Sequence, residues 1–456
     1  MKRGLQWVAG LAALVVIAAF GYLVIFIAPI GDAYTAKMLC SGVFVAQRPA
    51  EQVRREDILA DNNPFLPLVD AQVDVAHRRV NASFLGLARR VAVFREGLGC
   101  TVAIHVDATT LGREQLAWSR TAAPALPSAT LPGAISQRLQ SVLDAAFSEL
   151  DAKKLRRTRA IVILVDGHVV AEKYAPGFNA QTPQIGWSMS KTLIAALIGV
   201  RVAQGKLTLE QKNLLPEWRS DGRSDITLNQ LLRMSSGLEF DEGYGNPRSD
   251  VVRMLYESGD MAHYAAAKPL LNVPGTVFKY SSGTTQILSR VLRDTFQSDE
   301  RAYRDFPRQT LFAPLGMENA TLELDESGTF AGAAFTYASA HDWARVGQFL
   351  LNDGVWQSQR LLPEGWVRYM TTPAPAAAKK NYGAQIWLAV PEPYNSVASK
   401  PPALPSGTFH LIGHDAQFVS VVPQMKLVVV RLGVSRKRPS WDHETFLAAV
   451  IDAFRR

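Results

Sequence analysis

The feature that most constrains this chain is a long apolar run close to its start. Between Leu5 and Ile30 the sequence carries no charged side chain, and Lys2 and Arg3 precede the run. A helix of this length can cross the hydrocarbon core of a bilayer. Because basic residues tend to stay on the cytoplasmic side, we expect residues 1–30 to be a single-pass anchor of the inner membrane, with the remainder exported to the periplasm.

A cleaved secretory signal peptide is the alternative interpretation of the same run. Such peptides also begin with basic residues, but their apolar stretch is shorter and a small-x-small cleavage site follows it. The segment 29–34, with the sequence PIGDAY, offers only a poor site of that kind. The sequence therefore favours an uncleaved helix, with the membrane as its partner.

Two cysteines, Cys40 and Cys100, lie beyond the apolar run. If this part of the chain faces an oxidising compartment, a disulfide between them can persist. Two separately buried thiols are the alternative, since a sequence cannot supply the geometry that a bridge requires. Export favours the disulfide.

The rest of the chain has globular composition and is long enough for two folded units. Of its 456 residues 48% are hydrophobic, which is enough to bury a large core. We expect an accessory region at 37–117 with no readable chemistry, a linker rich in proline and alanine at 118–134, and a larger domain at 135–456. Strand-like segments near both ends of the larger domain enclose helical ones, which predicts an α/β (α+β) fold with one antiparallel sheet flanked by helices.

The net charge of +8 is modest for this length, and part of it lies in basic runs at 153–159 and 436–438. A solvated surface is the interpretation that we favour for both runs, and attraction to anionic lipid headgroups is the alternative. Aromatic residues do not interleave with the runs, and no nucleic-acid-binding module is recognisable. We therefore expect no nucleic-acid partner.

The motif that carries chemistry is Ser188-Met189-Ser190-Lys191, followed by an apolar helical pattern that ends at Gly205. Residues three apart share one face of a helix, so the Lys191 amine can reach the Ser188 hydroxyl. A serine is a weak nucleophile until a neighbouring base takes its proton, and a lysine can be that base if burial or nearby cations lower its pKa. The start of a helix adds a positive potential and a backbone N–H suited to an oxyanion. Alone, Ser-x-x-Lys is a common and weak signal.

Two later segments strengthen this signal. The segment 275–283, GTVFKYSSG, places Tyr280 and Ser282 in a turn-rich region, and the segment 413–417, GHDAQ, leads into a strand at Phe418. In order and context the three segments resemble the Ser-x-x-Lys, Tyr-x-Asn and Lys-Thr-Gly elements of class C β-lactamases and penicillin-binding proteins. The resemblance covers about residues 135–456 and is closest to the branch of 6-aminohexanoate-dimer hydrolase and related esterases.

This resemblance implies a β-lactamase/transpeptidase-like fold, with an antiparallel sheet, flanking helices and a helical subdomain beside the active site. It implies that Ser188 forms an acyl-enzyme, that Lys191 and Tyr280 share general-base and general-acid duty, and that Ser282 stands where the family has asparagine. The backbone N–H groups of Ser188 and Gln417 would form the oxyanion hole. Neither a metal nor an organic cofactor is implied.

The third segment departs from the family pattern, because His414, Asp415 and Ala416 replace Lys-Thr-Gly. The cation and hydroxyl that hold the carboxylate of a β-lactam or D-alanine peptide are absent. His414 could partly substitute, whereas Asp415 would repel a carboxylate and the Ala416 methyl would lie beside the substrate strand. We therefore expect hydrolysis of an ester or amide, in a small molecule or a cell-envelope component, ahead of β-lactamase or D,D-peptidase activity. A non-catalytic envelope-binding protein is a further alternative.

Several of these residues also have plain structural interpretations. Ser190 is expected to cap the helix rather than to act in catalysis, and His341 is expected to be structural at a helix start. Tyr280 could be an ordinary half-buried tyrosine, and His414 could be an ordinary histidine at a strand end.

Two other patterns do not carry a function. The segment 186–190, GWSMS, nearly matches the Gly-x-Ser-x-Gly elbow of α/β-hydrolases, but it ends in serine and lacks a doubly wound strand–helix alternation around it. His410 and His414 are four apart, a spacing that suits a metal only on a helix, and Gly413 with the strand that follows argues against a helix. We expect no metal site.

Overall fold

The computed structural model describes residues 2–60, 64–116, 124–395, 402–437 and 439–455. Residues 118–123 of the predicted linker and Arg438 of the second basic run lie outside these ranges. The chain divides into two compact units. The first comprises Met1–Gln115, Asp241–Met261 and Asp325–Ser327, and the second comprises Leu116–Phe240, Ala262–Leu324 and Gly328–Arg456.

The helices and strands of the described residues are numbered here in chain order. The helices are α1 (Lys2–Tyr22), α2 (Ala28–Cys40), α3 (Ala50–Val53), α4 (Ala108–Leu111), α5 (Gly133–Phe147), α6 (Ser190–Ala203), α7 (Leu228–Leu232), α8 (Asp250–Glu257), α9 (Met261–Ala266), α10 (Ser282–Asp294), α11 (Glu300–Pro307), α12 (Ala340–Leu351), α13 (Trp366–Thr371) and α14 (His443–Ala453). The strands are β1 (Val69–Asp74), β2 (Arg79–Phe84), β3 (Arg90–Arg95), β4 (Gly99–Ala103), β5 (Thr158–Val165), β6 (His168–Tyr174), β7 (Gln184–Ile185), β8 (Thr321–Leu322), β9 (Thr336–Ala338), β10 (Val355–Trp356), β11 (Gln359–Arg360), β12 (Phe409–Gly413), β13 (Gln417–Val422) and β14 (Leu427–Gly433).

A continuous helical stretch opens the first unit. α1 runs through a π-helical turn at Leu23–Ile27 into α2, and a second π-helical turn follows at Ser41–Val45. The large apolar side chains of α1 are exposed, whereas most of α2 is buried. Within the described ranges, the stretch Gln6–Val45 is long and apolar enough to cross a membrane, a test that a signal sequence also passes.

The buried half of this stretch, α2, packs along a four-stranded antiparallel sheet of order β1-β2-β3-β4. A Cβ added to Gly31 would lie 3.8 Å from the side chain of Val69, which begins β1. At the other end of α2, Cys40 is bonded to Cys100, which the strand register places at the end of the sheet where β1 finishes. α2 therefore runs along the sheet from one end to the other, and the expected disulfide is confirmed.

Two segments from late in the sequence complete the first unit. α8 packs on α2, and the rings of Tyr34 and Tyr256 meet edge to face at 5.5 Å between centroids. In the other segment, the Glu326 carboxylate accepts backbone N–H bonds from residues 104–106. These contacts explain why the unit includes residues that the bounds predicted from sequence leave in the larger domain.

Removal of the disulfide should destabilise the first unit. The bridge closes a loop across 60 residues of sequence, for which the loss of loop-closure entropy in the unfolded chain is worth about 4 kcal/mol. We expect the Cys40→Ser/Cys100→Ser protein to unfold at a lower urea concentration in detergent micelles, with the loss confined to a transition of the first unit. An unchanged urea midpoint would mean that packing on α2 alone holds the sheet.

The second unit is built on a five-stranded antiparallel sheet of order β12-β13-β14-β5-β6. β14, near the C-terminus, pairs with β5, near the start of the unit, so that Val429 lies opposite Ile163. One sheet is thus formed from both ends of the domain, as the sequence predicts. Because side chains alternate across a strand, Val429 faces the layer of α5 and α14, whereas Val428 faces α12 at Gly347.

The first basic run on this unit is not uniformly solvated. Lys153 and Lys154 are exposed, but Arg159 is buried, with its guanidinium 4.9 Å from the ring centre of Phe178. The interpretation of this run as a solvated surface is therefore wrong at Arg159.

A buried polar chain joins the edge of the sheet to α14. Nδ1 of His410 lies 2.8 Å from the Ser420 hydroxyl, which lies 2.7 Å from Nε2 of His443. The His443 ring stacks on Phe418 with 3.6 Å between centroids. Burial lowers the pKa of His410 to about 3 and lowers that of His443 well below its ordinary value. Both imidazoles are therefore neutral in the folded protein near neutral pH.

These histidines should make the second unit sensitive to acid. A histidine whose pKa is lowered on folding contributes stability above pH 6.5, and that contribution is lost as the pH falls toward 3, because the unfolded chain binds the extra proton. Each histidine that is protonated only in the unfolded chain changes the free energy of unfolding by up to about 1.4 kcal/mol per pH unit. We expect urea unfolding of His410→Gln between pH 6.5 and 4.5 to show a smaller decline with pH than the parent protein shows. Equal declines would show that His410 is protonated in the fold.

Candidate active site

Ser188 lies in a 3₁₀ turn, Trp187–Met189, which runs directly into α6. The turn begins with Trp187 in the left-handed region at φ +48°, an unusual conformation for a non-glycine residue. Its backbone passes close to a neighbour as well, because a Cβ on Gly186 would lie 2.3 Å from the indole of Trp343. Such strain is held only where surrounding packing fixes it, and it commonly marks functional sites.

The Lys191 amine reaches the serine, as the spacing of three predicts. Its Nζ lies 2.9 Å from the Ser188 hydroxyl, 3.0 Å from the Ser282 hydroxyl and 2.7 Å from the backbone carbonyl oxygen of Ala333. The lysine side chain is among the most completely buried in the protein, at 1% exposure. Three segments far apart in sequence therefore converge on one nitrogen.

Tyr280 is brought to the same point from its position two residues before α10. The centre of its ring lies 5.2 Å from Nζ of Lys191. Ser281 caps α10 by accepting the N–H of Thr284, and this fixes Ser282 in the first turn. The motif spacing thus brings an amine, a phenol ring and two hydroxyls together.

The third segment, at 413–417, borders the serine turn, Trp187–Met189, from the edge of the sheet. A Cβ on Gly413, the last residue of β12, would lie 2.1 Å from the carbonyl oxygen of Gly186. The rings of His414 and Trp187 meet edge to face at 5.6 Å between centroids, and His414 remains partly exposed. Only glycine permits this close backbone approach between strand and turn.

The next two residues are placed differently from the sequence expectation. Asp415 is 2% exposed and lies 2.9 Å from Nε of Arg436 and 3.2 Å from Nε2 of His414. Burial alone would raise the pKa of Asp415, but Arg436 and His414 outweigh it and lower that pKa. Its charge is thus paired rather than directed at a substrate carboxylate. The Ala416 methyl packs in the hydrophobic core and not beside the substrate strand.

Gln417 is also buried, and its side chain holds the hairpin together. The amide bonds the backbone of Gly433 on β14 as both donor and acceptor. That arrangement fixes the start of β13, where the N–H predicted for the oxyanion hole belongs. The role of that N–H itself stays a prediction.

Other expected roles are settled by hydrogen bonds. Ser190 is structural, because its hydroxyl donates to the carbonyl oxygen of Trp187 at 2.7 Å and accepts the N–H of Thr336. His341 lies at the start of α12 and pairs with Glu172 at 2.7 Å. His410 is committed to Ser420, and within the described ranges no group of three or more metal-ligating side chains occurs.

Sequence reasoning did not find every residue of the site. The Ala333 carbonyl carries no side-chain signal, so nothing in a single sequence could have pointed to it. The run at 436–438 contains Arg436, whose side chain is largely buried against Asp415, so the interpretation of that run as a solvated surface is wrong at Arg436. The aromatic rings of Tyr382 and Trp387, which pack on Tyr280, were also not identified from the sequence.

The sequence profile of the Beta-lactamase family matches residues 143–451, about two thirds of the chain. The protein belongs to the β-lactamase family. A 6-aminohexanoate-dimer hydrolase from Paenarthrobacter ureafaciens is 27% identical over 222 residues, which cover 46% of this chain and 56% of that protein. The match therefore spans little more than half of that relative's length.

Solved structures of low sequence identity share the fold. A family VIII carboxylesterase superposes with a TM-score of 0.55 at 15% identity, covering 72% of this chain and 99% of that one. A penicillin-binding protein homolog from Caulobacter crescentus gives 0.54 at 16% identity, covering 72% and 98%. The expected β-lactamase/transpeptidase-like fold is confirmed, and the named relatives support a hydrolase.

The approach of Gly413 to the serine turn should be required for the site. In Gly413→Ala the new methyl would collide with the Gly186 carbonyl, so strand and turn must separate. We expect a loss of about 1–3 kcal/mol in stability and a fall of at least about ten-fold in the labelling rate of Ser188 by a fluorophosphonate, since small displacements of reacting groups are costly.

Gly133→Ala is the matched control, because a Cβ at Gly133 meets no atom within 4 Å at the start of α5. It should leave both quantities unchanged. Equal labelling rates in the Gly413 and Gly133 variants would show that the edge strand does not shape the site.

Proposed function

We propose that this protein is a serine hydrolase that cleaves an ester or amide through an acyl-enzyme on Ser188. The observation that carries the proposal is the buried Lys191 amine, 2.9 Å from the Ser188 hydroxyl. A hydroxyl and a base within hydrogen-bond distance are the geometric requirement for nucleophilic catalysis. Membership of the β-lactamase family agrees with this chemistry.

The contacts of Lys191 indicate how its neutral form would act. A neutral amine has two N–H donors and one lone pair. The Ala333 carbonyl can only accept, and the Ser282 hydroxyl can accept as well, so the two N–H groups are directed to these oxygens. The lone pair then faces Ser188 and can take its proton. Removal of the amine from water is the physical effect that favours the neutral form.

The reaction follows as two proton-coupled steps. Oγ of Ser188 bonds the substrate carbonyl carbon as its proton passes to Lys191, and the oxyanion is expected to be held by the N–H groups of Ser188 and Gln417. Tyr280, whose ring lies beside Nζ, is the proposed acid that protonates the departing alcohol or amine. In the second step water attacks the Ser188 ester, and Lys191 and Tyr280 act in reverse roles. This step releases the carboxylic acid product and restores the serine.

The surroundings of the site favour an uncharged or apolar acyl group over a carboxylate-bearing one. The rings of Tyr382 and Trp387 pack against Tyr280, and the Asp415 charge is paired with Arg436. His414, partly exposed beside the serine turn, is the side chain at the position of the family's lysine. These features support ester or simple amide hydrolysis ahead of D,D-peptidase or β-lactamase activity.

We also propose that the enzyme is held at the inner membrane by α1, with its folded units in the periplasm. The apolar side chains of α1 are exposed, and the disulfide suits an oxidising compartment. Cleavage within 29–34 would cut the first turns of α2, where Ile30 and Ala33 are buried. That burial supports an uncleaved anchor over a signal peptide.

The decisive test is the nucleophile. We expect Ser188→Ala to lose hydrolysis of p-nitrophenyl acetate by at least about a thousand-fold, because the remaining groups cannot form the acyl-enzyme. Intact-mass analysis should find no fluorophosphonate adduct on this variant, while circular dichroism remains that of the parent protein.

Ser190→Ala serves as the matched control, since Ser190 lies two residues away and bonds the backbone. It should retain the adduct on Ser188. An adduct that survives in Ser188→Ala would reject the assignment, and absence of any adduct on the parent protein would favour a binding protein. Stable acylation by a labelled penicillin would favour the D,D-peptidase alternative.

A further inference from the structure

Four large apolar side chains cluster at one end of the first unit's sheet. Phe65, Leu68, Leu85 and Leu87, which we term the apolar rim, are between 45% and 58% exposed. They belong to the segment before β1 and the turn after β2, and the Leu85 N–H donates to the carbonyl oxygen of Leu68. Single exposed apolar residues are ordinary on protein surfaces, whereas a cluster at one end of a sheet marks an interaction site.

The rim lies at the end of the sheet where the apolar helix enters the unit. Val69 and Phe84, the strand residues next to the rim, are opposite each other in the register. A Cβ on Gly31 would contact Val69 and, at 3.9 Å, Leu66. The opposite end of the sheet is marked by the Cys40–Cys100 bridge.

The helix marks where the bilayer would end. Tyr22 and Phe26 are half exposed, with 5.2 Å between ring centres, and Arg248 donates to the Tyr22 hydroxyl and lies over both rings. Aromatic and basic side chains together are typical of the membrane–water interface. From Phe26 to Gly31 the helix rises about 7.5 Å, which is about the depth of one headgroup layer.

The charges around the rim suit an anionic leaflet. Arg89, next to the rim in sequence, is exposed, and Arg54 donates to the carbonyl oxygen of Val69. Asp70 is the exposed acid beside them. Arg248 lies over the rings of Tyr22 and Phe26, and anionic headgroups attract such cations within a Debye length.

We propose that the apolar rim lies in the headgroup layer of the leaflet where α1 leaves the membrane, so that the first unit contacts anionic phospholipid directly. The inference rests on the proposed anchoring by α1. Anchoring alone would leave the sheet free of lipid, whereas the continuous helix places the rim about one headgroup layer beyond Phe26. The surface is therefore a lipid contact and not a docking site for a soluble protein.

Cysteine-directed probes can measure the depth, because both native cysteines are used in the disulfide. The full chain would carry one added cysteine, Leu87→Cys in the rim, Val75→Cys at the far tip of the β1–β2 hairpin, or Val15→Cys in α1. Val75 is the matched control, since it is exposed and apolar on the same hairpin at the opposite end of the sheet.

Each variant would be labelled with an environment-sensitive fluorophore and reconstituted in phosphatidylethanolamine–phosphatidylglycerol vesicles containing lipid spin-labelled near the headgroup. We expect at least two-fold stronger quenching at Leu87 than at Val75, and an acyl-chain environment at Val15. Unchanged ester hydrolysis and an intact disulfide by non-reducing mass analysis confirm the fold of each variant.

The outcomes separate the two proposals. If Val15 is in the acyl region while Leu87 and Val75 are quenched equally, the rim does not contact lipid and the anchor stands. If Val15 is not in the acyl region, the anchor fails, and the lipid contact that rests on it is overturned too. Neither outcome bears on the Ser188 chemistry, which the fluorophosphonate adduct tests separately.

Discussion

The buried amine of Lys191 is the contact on which the candidate site depends. It joins the head of α6 to the start of α10 and to the backbone at Ala333. Burial of a polar nitrogen is costly unless its hydrogen-bonding groups are satisfied. The three oxygens satisfy them, and they also fix the direction in which the nitrogen faces Ser188. The contacts that bury the amine are therefore also the contacts that place it for the proposed role as a base.

The sheet supplies the other wall of the site. Both chain ends of the second unit contribute strands to this sheet. β12 is an edge strand, and its last residue approaches the backbone before Ser188 without an intervening side chain. The hairpin that follows is held by Gln417, whose amide bonds β14. An edge strand that is fixed in this way can border a substrate while the core behind it stays packed.

Local patterns allowed much of this architecture to be predicted from the sequence. The strand-like segments near both ends of the larger domain predict the sheet, and the spacing of three predicts the Ser188–Lys191 pair. Contacts that join distant segments could not be predicted in this way. Nothing local to residues 241–261 or 325–327 indicates that they fold with the first unit, because the responsible contacts, such as Glu326 with residues 104–106, lie more than two hundred positions apart.

The contacts of the third segment, at 413–417, also join distant parts of the sequence and could not be predicted from local patterns. They bear on whether the site is active. Asp415 and Ala416 both adopt left-handed backbone conformations, at φ +61° and +65°, which cost about 1–2 kcal/mol each without glycine. The fold offsets both conformational costs. Asp415 pairs with Arg436, and Arg431 donates to the carbonyl oxygen of Ala416. The buried ion pair and the guanidinium bond therefore hold this turn in one conformation beside the turn that carries Ser188, and such positional order is what the proposed acyl transfer would require.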